Sequence, residues 1–142
     1  MKKLLPAFLA VAAAATFIPA LSKDVHVEPG SLHKLITAED FKTDRTLRIT
    51  GTLNNSDIIE LRNLCGRDTA GKKTDALISD LDLSDVKFEN SGAPYFLKLR
   101  KTYGVTSPTT LPPCIFYDIP LERLTLPASL DTLGDFSLAA TA

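Results

Sequence analysis

The chain has 142 residues, 44% of them hydrophobic, two cysteines and a formal net charge of −1. That length suits one modest core and a single domain. The balanced charge leaves no basic stripe, which excludes a nucleic-acid-binding surface.

Lys2 and Lys3 precede an apolar run from Leu4 to Leu21, and Ala20-Leu21-Ser22 puts small residues at positions −3 and −1 of a cleavage site. This pattern predicts a secretory signal peptide over 1–22. The run is short and carries Pro6 and Pro19, which argues against a membrane anchor. No later stretch is apolar enough to span a bilayer, so no span is expected once the signal is removed. Without Lys2 and Lys3 the chain keeps 14 basic and 17 acidic residues, a net charge of −3. An exported protein is expected: secreted, periplasmic or held at the cell surface.

Val25 and Val27 alternate with polar residues and predict a short strand, ended by Pro29-Gly30. Leu32, Leu35 and Ile36 stand at helical spacing. Thr46 to Gly51 predicts a strand with Leu47 and Ile49 on one face. A helix follows, capped by Asn55 or Ser56, with Asp57 and Glu60 early and Ile58, Ile59, Leu61, Leu64 and Cys65 as its apolar side. Gly66 suits its stop. Arg67 to Thr74 is polar and predicts a surface loop. Ile78-Ser-Asp-Leu81-Asp-Leu83 has the same leucine spacing as Leu121-Glu-Arg-Leu124-Thr-Leu126. Between them, Glu89 to Thr110 is too long for a simple turn.

The tail from Leu111 repeats itself. A slide of 22 residues places Leu111 on Leu133 and Phe116 on Leu138. Self-similarity at that period marks a solenoid, whose turns bury their apolar faces only against neighbouring turns. The fold class expected is α/β: a short leucine-rich-repeat solenoid with parallel strands on one face and an N-terminal, helix-containing cap. Residues 23–142 form this domain, with the cap over 23–75 and an incomplete repeat array over 76–142. The same slide puts the leucine after Leu121 at position 143, so the array is expected to be unfinished, with an exposed C-terminal edge.

The order of these segments resembles the BspA-like leucine-rich repeat proteins. The resemblance rests on TLRITGTLNNSDIIELRNLCG, on LISDLDLSDVKF, and on IFYDIPLERLTLPASLDTLGDFSL, and covers about residues 30–140. It implies an exported or surface-held adhesion or protein-interaction module with no shared catalytic residues. Two departures stand out. Leu138 occupies a position where the family usually has phenylalanine, and the turn at Tyr117–Pro120 is one residue short.

Leucines of such strands point inward and the intervening residues outward. Alignment of Leu47, Leu81 and Leu124 therefore predicts two exposed rows. Thr46, Asp80 and Arg123 form one, and Arg48, Asp82 and Thr125 the other, with opposite charges adjacent in each. These rows are either cross-strand pairs or a polar recognition face. Tyr95, Arg100 and Tyr103 form the second candidate contact site, since aromatics and arginine anchor many interfaces; the alternative is that aromatics of this loop pin it from below. Asp80, Asp82 and Asp85 supply too few oxygens for calcium. Cys65 and Cys114 are expected as two buried thiols, with a disulfide the alternative. No nucleophile motif joins them to His26 or His33, and no phosphate loop, paired-carboxylate motif or HExxH occurs. The chain is thus expected to be no enzyme, to carry no metal or cofactor, and to bind a protein or glycan. The alternatives are a self-associating structural piece, pairing through the C-terminal edge, and a truncated product without independent function.

Overall fold

The computed structural model describes residues 22–95 and 101–139. The expected signal peptide therefore falls outside the described residues, apart from Ser22. So do Phe96, Lys98 and Arg100.

The protein is α/β, with parallel strands. Four strands run in chain order across one parallel sheet: β1 (Lys23–Val27), β2 (Thr46–Leu53), β3 (Asp80–Phe88) and β5 (Arg123–Thr125). A second, two-stranded parallel sheet joins β4 (Thr110–Leu111) to β6 (Thr132–Leu133). The helices are α1 (Leu32–Leu35), a 3-10 turn at Ala38–Phe41, and α2 (Asn55–Cys65). Parallel neighbours need a crossover connection, and α2 supplies it between β2 and β3.

The short strand predicted at Val25–Val27 forms as part of β1. It pairs with β2, Val25 opposite Ile49 and Val27 opposite Gly51, and so forms the sheet's first edge. Leu47, Leu81 and Leu124 lie side by side, in the register the leucine spacing predicts. Leu47, Ile49, Leu81 and Leu83 are fully buried, and the residues between them are half-exposed. Alternation of one residue in two thus becomes one wet and one dry face. Ile58, Leu61 and Cys65 of α2 and Ile115, Phe116 and Ile119 of the tail fill the same core.

Gly51 lets β1 lie close to β2. Its φ is +98°, and a Cβ there would sit 2.3 Å from the Val27 carbonyl oxygen. Asn54 caps α2, not Asn55 or Ser56: its side chain accepts from the Asp57 N–H, and Asp57 reciprocates on the Asn54 N–H. The capping box uses the residue one step upstream because Asn55 is spent elsewhere. Its amide donates to the Gly92 carbonyl and its oxygen accepts from the Val105 N–H, which ties both ends of the 89–109 segment to the helix. Gly66 ends α2 in the left-handed conformation, φ +116°.

The tail repeats its geometry as well as its letters. Thr110 pairs with Thr132 and Leu111 with Leu133. Cys114 and Phe136 both have φ near +57° to +58°. The Ile115 N–H bonds the Pro112 carbonyl as the Ser137 N–H bonds Gly134, and Tyr117 bonds Cys114 as Ala139 bonds Phe136. Successive segments are joined by Cys114 N–H to Asp135, Phe116 N–H to Ser137 and Asp118 N–H to Ala139.

Candidate functional site

The solvent face of the four-stranded sheet carries the two predicted rows. In the first, Arg123 Nη1 lies 3.2 Å from Asp80 Oδ2, with Thr46 opposite Asp80. In the second, Arg48 Nε lies 3.6 Å from Asp82 Oδ2, and Thr125 is opposite Asp82. Arg48 makes a further ion pair with Asp85. The sequence pattern missed this partner because the register slips between Arg48 and Thr50, which sets Asp85 opposite Thr50. The β1 edge continues the second row with Asp24, opposite Arg48. Around Arg48 the face thus holds one cation and three carboxylates, with the Thr50 hydroxyl nearby in register.

Asp82 is held below the usual carboxylate range. The main cause is the Ser84 N–H, which donates to Asp82 Oδ1 at 2.9 Å; the Ser84 side chain and Arg48 add to it, and burial opposes it. A carboxylate with a depressed folded-state pKa contributes stability above its unfolded value, near 4, and loses it as pH falls through the folded value. Urea midpoints measured between pH 6 and pH 2 should therefore fall, and Asp82→Asn should flatten part of the slope. An unchanged slope would show that Asp82 is not linked to folding.

Of the second candidate site, Arg100 lies outside the described residues. Tyr95 and Tyr103 are both buried. Tyr95 donates its hydroxyl to the Pro113 carbonyl, and its N–H bonds the Tyr103 carbonyl at 2.8 Å. Burial pushes both phenols upward in pKa. These bonds tie Tyr95 to the turn at 112–117 and to Tyr103. Lys101 sits 5.3 Å from the Tyr103 ring centroid and covers its outer side.

Cys65 and Cys114 are buried and unbridged. Burial pushes the Cys65 thiol up to about 12, against a smaller opposite pull from Arg62, and raises Cys114 in the same direction. A thiol held protonated is a poor nucleophile. His26 and His33 are exposed; His26 Nδ1 lies 3.0 Å from the Thr50 hydroxyl on the sheet face. Among the described residues no three metal-ligating side chains converge. A groove of about 260 Å³ runs beside Ser84, Asp85, Val86, Lys87, Ala128 and Ser129, below the ~300–1,000 Å³ of most small-molecule sites.

The most consequential polar residue escaped the sequence pattern. Arg62 is 1% exposed. Its Nη1 donates to the carbonyls of Cys114, Ile115 and Tyr117 at 3.0–3.2 Å, and Nη2 to Asp68 at 3.2 Å. Desolvation lowers its pKa, yet guanidinium stays charged at any working pH. Its position was available as a signal, because it lies four residues after Ile58 and three before Cys65, on the buried stripe of α2.

Among the described residues no helix is long and apolar enough to cross a membrane. No protein-family model matches the chain, and no curated protein sequence matches it.

Proposed function

We propose that this protein is an exported, non-catalytic binding module of the BspA-like leucine-rich repeat type, built as a short solenoid. Its partner is a protein or glycan met at or outside the cell envelope. The recognition surface is the polar sheet face carrying Arg48, Asp80, Asp82 and Arg123.

One observation carries the reading. Three parallel strands place leucines in register on the dry side and charged or hydroxyl side chains in register on the wet side. A flat, ordered, charged face without an enclosed pocket suits recognition of an extended polar surface better than turnover of a small substrate. The 22-residue agreement in backbone geometry supports the solenoid, and the basic-then-apolar start of the chain supports export.

Asp80→Arg and Arg123→Asp, made singly and together, test it. The Arg123 side chain is 77% exposed, so each single change should cost less than about 1 kcal/mol and the double variant should recover most of it. The parent and double variant are then passed over a glycan array and over solubilised surface proteins. The parent should retain specific ligands and the charge-reversed double variant should lose them at equal stability. Identical retention by both, or none by the parent, would remove the sheet face as the binding surface.

A further inference from the structure

We infer that the far half of β3, beside the groove at Ala128 and Ser129, is a strand-docking site. Its occupant is an extended segment of a partner polypeptide, paired main chain to main chain, with a basic and an acidic side chain two residues apart. The site lies past the end of β5 and does not rest on the sheet-face reading.

The groove exists because two neighbouring strands differ in length. β3 has nine residues and β5 three, and their pairing stops at Asp82 and Thr125. Pro127 has no N–H with which to continue a ladder. The chain turns there, with the Leu130 N–H on the Pro127 carbonyl. β3 meanwhile runs on to Phe88, still paired with β2 on its other side. Between Ser84–Lys87 and Ala128–Ser129 a space of about 260 Å³ stays open. Both of its walls are described residues from the interior of the sequence, and neither is an end of the chain.

The main chain shows what this space accepts. The Glu89 N–H bonds the Leu53 carbonyl of β2. Main-chain groups of a strand point to its two edges by turns, so Lys87 and Asp85 also face β2, in the register of Thr52 and Thr50. Val86, between them, turns its N–H and C=O to the groove, where no described residue bonds them. A strand edge left open in this way is a template for one more strand. On the same edge, at residues 80–82, β5 is the strand that fills it.

Charge fixes the side chains of the occupant. On the wet face Arg48 lies across from Asp82, and Asp80 from Arg123. Asp85 and Lys87 continue that surface, and among the described residues neither has an opposite charge on the β5 side. Arg48 holds one Asp85 oxygen, yet the Asp85 side chain stays 61% exposed, and Lys87 is exposed as well. A docked strand shows every second side chain on this face. Its complement is therefore a base beside Asp85 and an acid beside Lys87. The residue between them turns inward, toward Val86, and is small and apolar. A few main-chain bonds and two exposed charge pairs support a dissociation constant on the order of 1 mM.

Amide NMR of the isotope-labelled protein tests this with the capped peptide acetyl-TKVDT-amide. Saturable shifts are expected at the Val86 and Ser129 amides, half complete near ~1 mM peptide. The same peptide N-methylated at its three central residues keeps every side chain but loses the donors, and should bind at least ~10-fold more weakly. Acetyl-TDVDT-amide should bind roughly 5-fold more weakly, since an acid then meets Asp85. Lys87→Glu should invert the preference, taking acetyl-TKVKT-amide over the first peptide while the β2–β3 amides keep their positions. Should that variant not fold, the N-methylated peptide on the parent protein decides. No shift at Val86 and Ser129 up to ~10 mM, equal binding of either control peptide, or a preference that Lys87→Glu leaves unchanged would each overturn the proposal.

Discussion

Arg62→Met should lower the unfolding free energy by about 3–5 kcal/mol, the range for removing one partner of a buried charged network. Total stabilities of small domains are ~5–15 kcal/mol, so this is among the most damaging single changes available. Methionine replaces the bulk of the stem but none of the donors. Four carbonyls, at Asp68, Cys114, Ile115 and Tyr117, would lose them. An orphaned buried acceptor costs about 1–3 kcal/mol, and relief from burying the guanidinium returns only part of the sum. Arg62→Lys discriminates the cause. An ammonium keeps the charge but is a point donor without the planar fork, so it cannot serve Asp68 on one side and the 114–117 turn on the other. A loss of about 2 kcal/mol is expected for lysine, between arginine and methionine. Urea titration of the three proteins gives the ranking. If lysine matches arginine, charge and not fork geometry holds the turn; if methionine costs under ~1 kcal/mol, the network is not a stabilising element.

The consequence reaches the repeat. Carbonyls of the 114–117 turn point into the core, while the N–H groups of Cys114 and Phe116 bond the turn that follows. Arg62 therefore solvates the inner side of the very turn on which the last one stacks. Hydrogen exchange at Cys114 and Phe116 should quicken in Arg62→Met before the β2–β3 ladder loosens.

What could be read from sequence follows a physical line. Strand register was legible because burial on a sheet has a period of two, and the shared spacing of Ile78, Leu81 and Leu83 with Leu121, Leu124 and Leu126 superposes Leu81 on Leu124. Adjacency of Asp80 to Arg123 follows from that superposition, and adjacency of Arg48 to Asp82 from the alignment of Leu47 with Leu81. The bulge that brings in Asp85 does not, since one extra residue leaves the polar–apolar rhythm almost intact. Arg62 escapes the pattern because arginine is rarely buried, although its spacing from Ile58 and Cys65 places it on the dry stripe. Tyr95 and Tyr103 sit in an aperiodic segment, where no rhythm separates an anchor from a contact residue. Their burial, the bond of Tyr95 to Pro113 and the bond between the two residues follow from no local rhythm. Sequence favours Asn55 or Ser56 over Asn54 as the cap because the demand on Asn55 comes from Gly92 and Val105, 37 and 50 residues away.

Asp57→Ala should cost about 3–5 kcal/mol, again through groups distant in sequence. The Asp57 carboxylate is 1% exposed. Its Oδ2 accepts from the Gly30 N–H at 2.7 Å and the Asn54 N–H at 3.0 Å, and its Oδ1 from the Leu32 N–H at 3.0 Å. The sequence places Asp57 near the N-terminus of α2, where the helix dipole favours its charge. Its larger task is to satisfy the start of α1, where Ser31 makes no side-chain capping bond. One side chain thus closes two helix starts and holds α1 against α2. Alanine leaves two buried N–H groups, of Leu32 and Asn54, and the part-buried one of Gly30 without these acceptors. Asp57→Asn is the finer probe: its oxygen can serve one side, while its NH₂ faces donors and repels them, so a loss of about 2–3 kcal/mol is expected. By contrast, Asn54→Ala removes a single cap bond and should cost only about 1 kcal/mol. Denaturant melts give the order Asn54→Ala, Asp57→Asn, Asp57→Ala, and amide exchange at Gly30 and Leu32 should accelerate only in the two Asp57 variants. Acceleration at those amides in Asn54→Ala would mean that the cap of α2, and not the carboxylate reaching across to α1, is what joins the two helices.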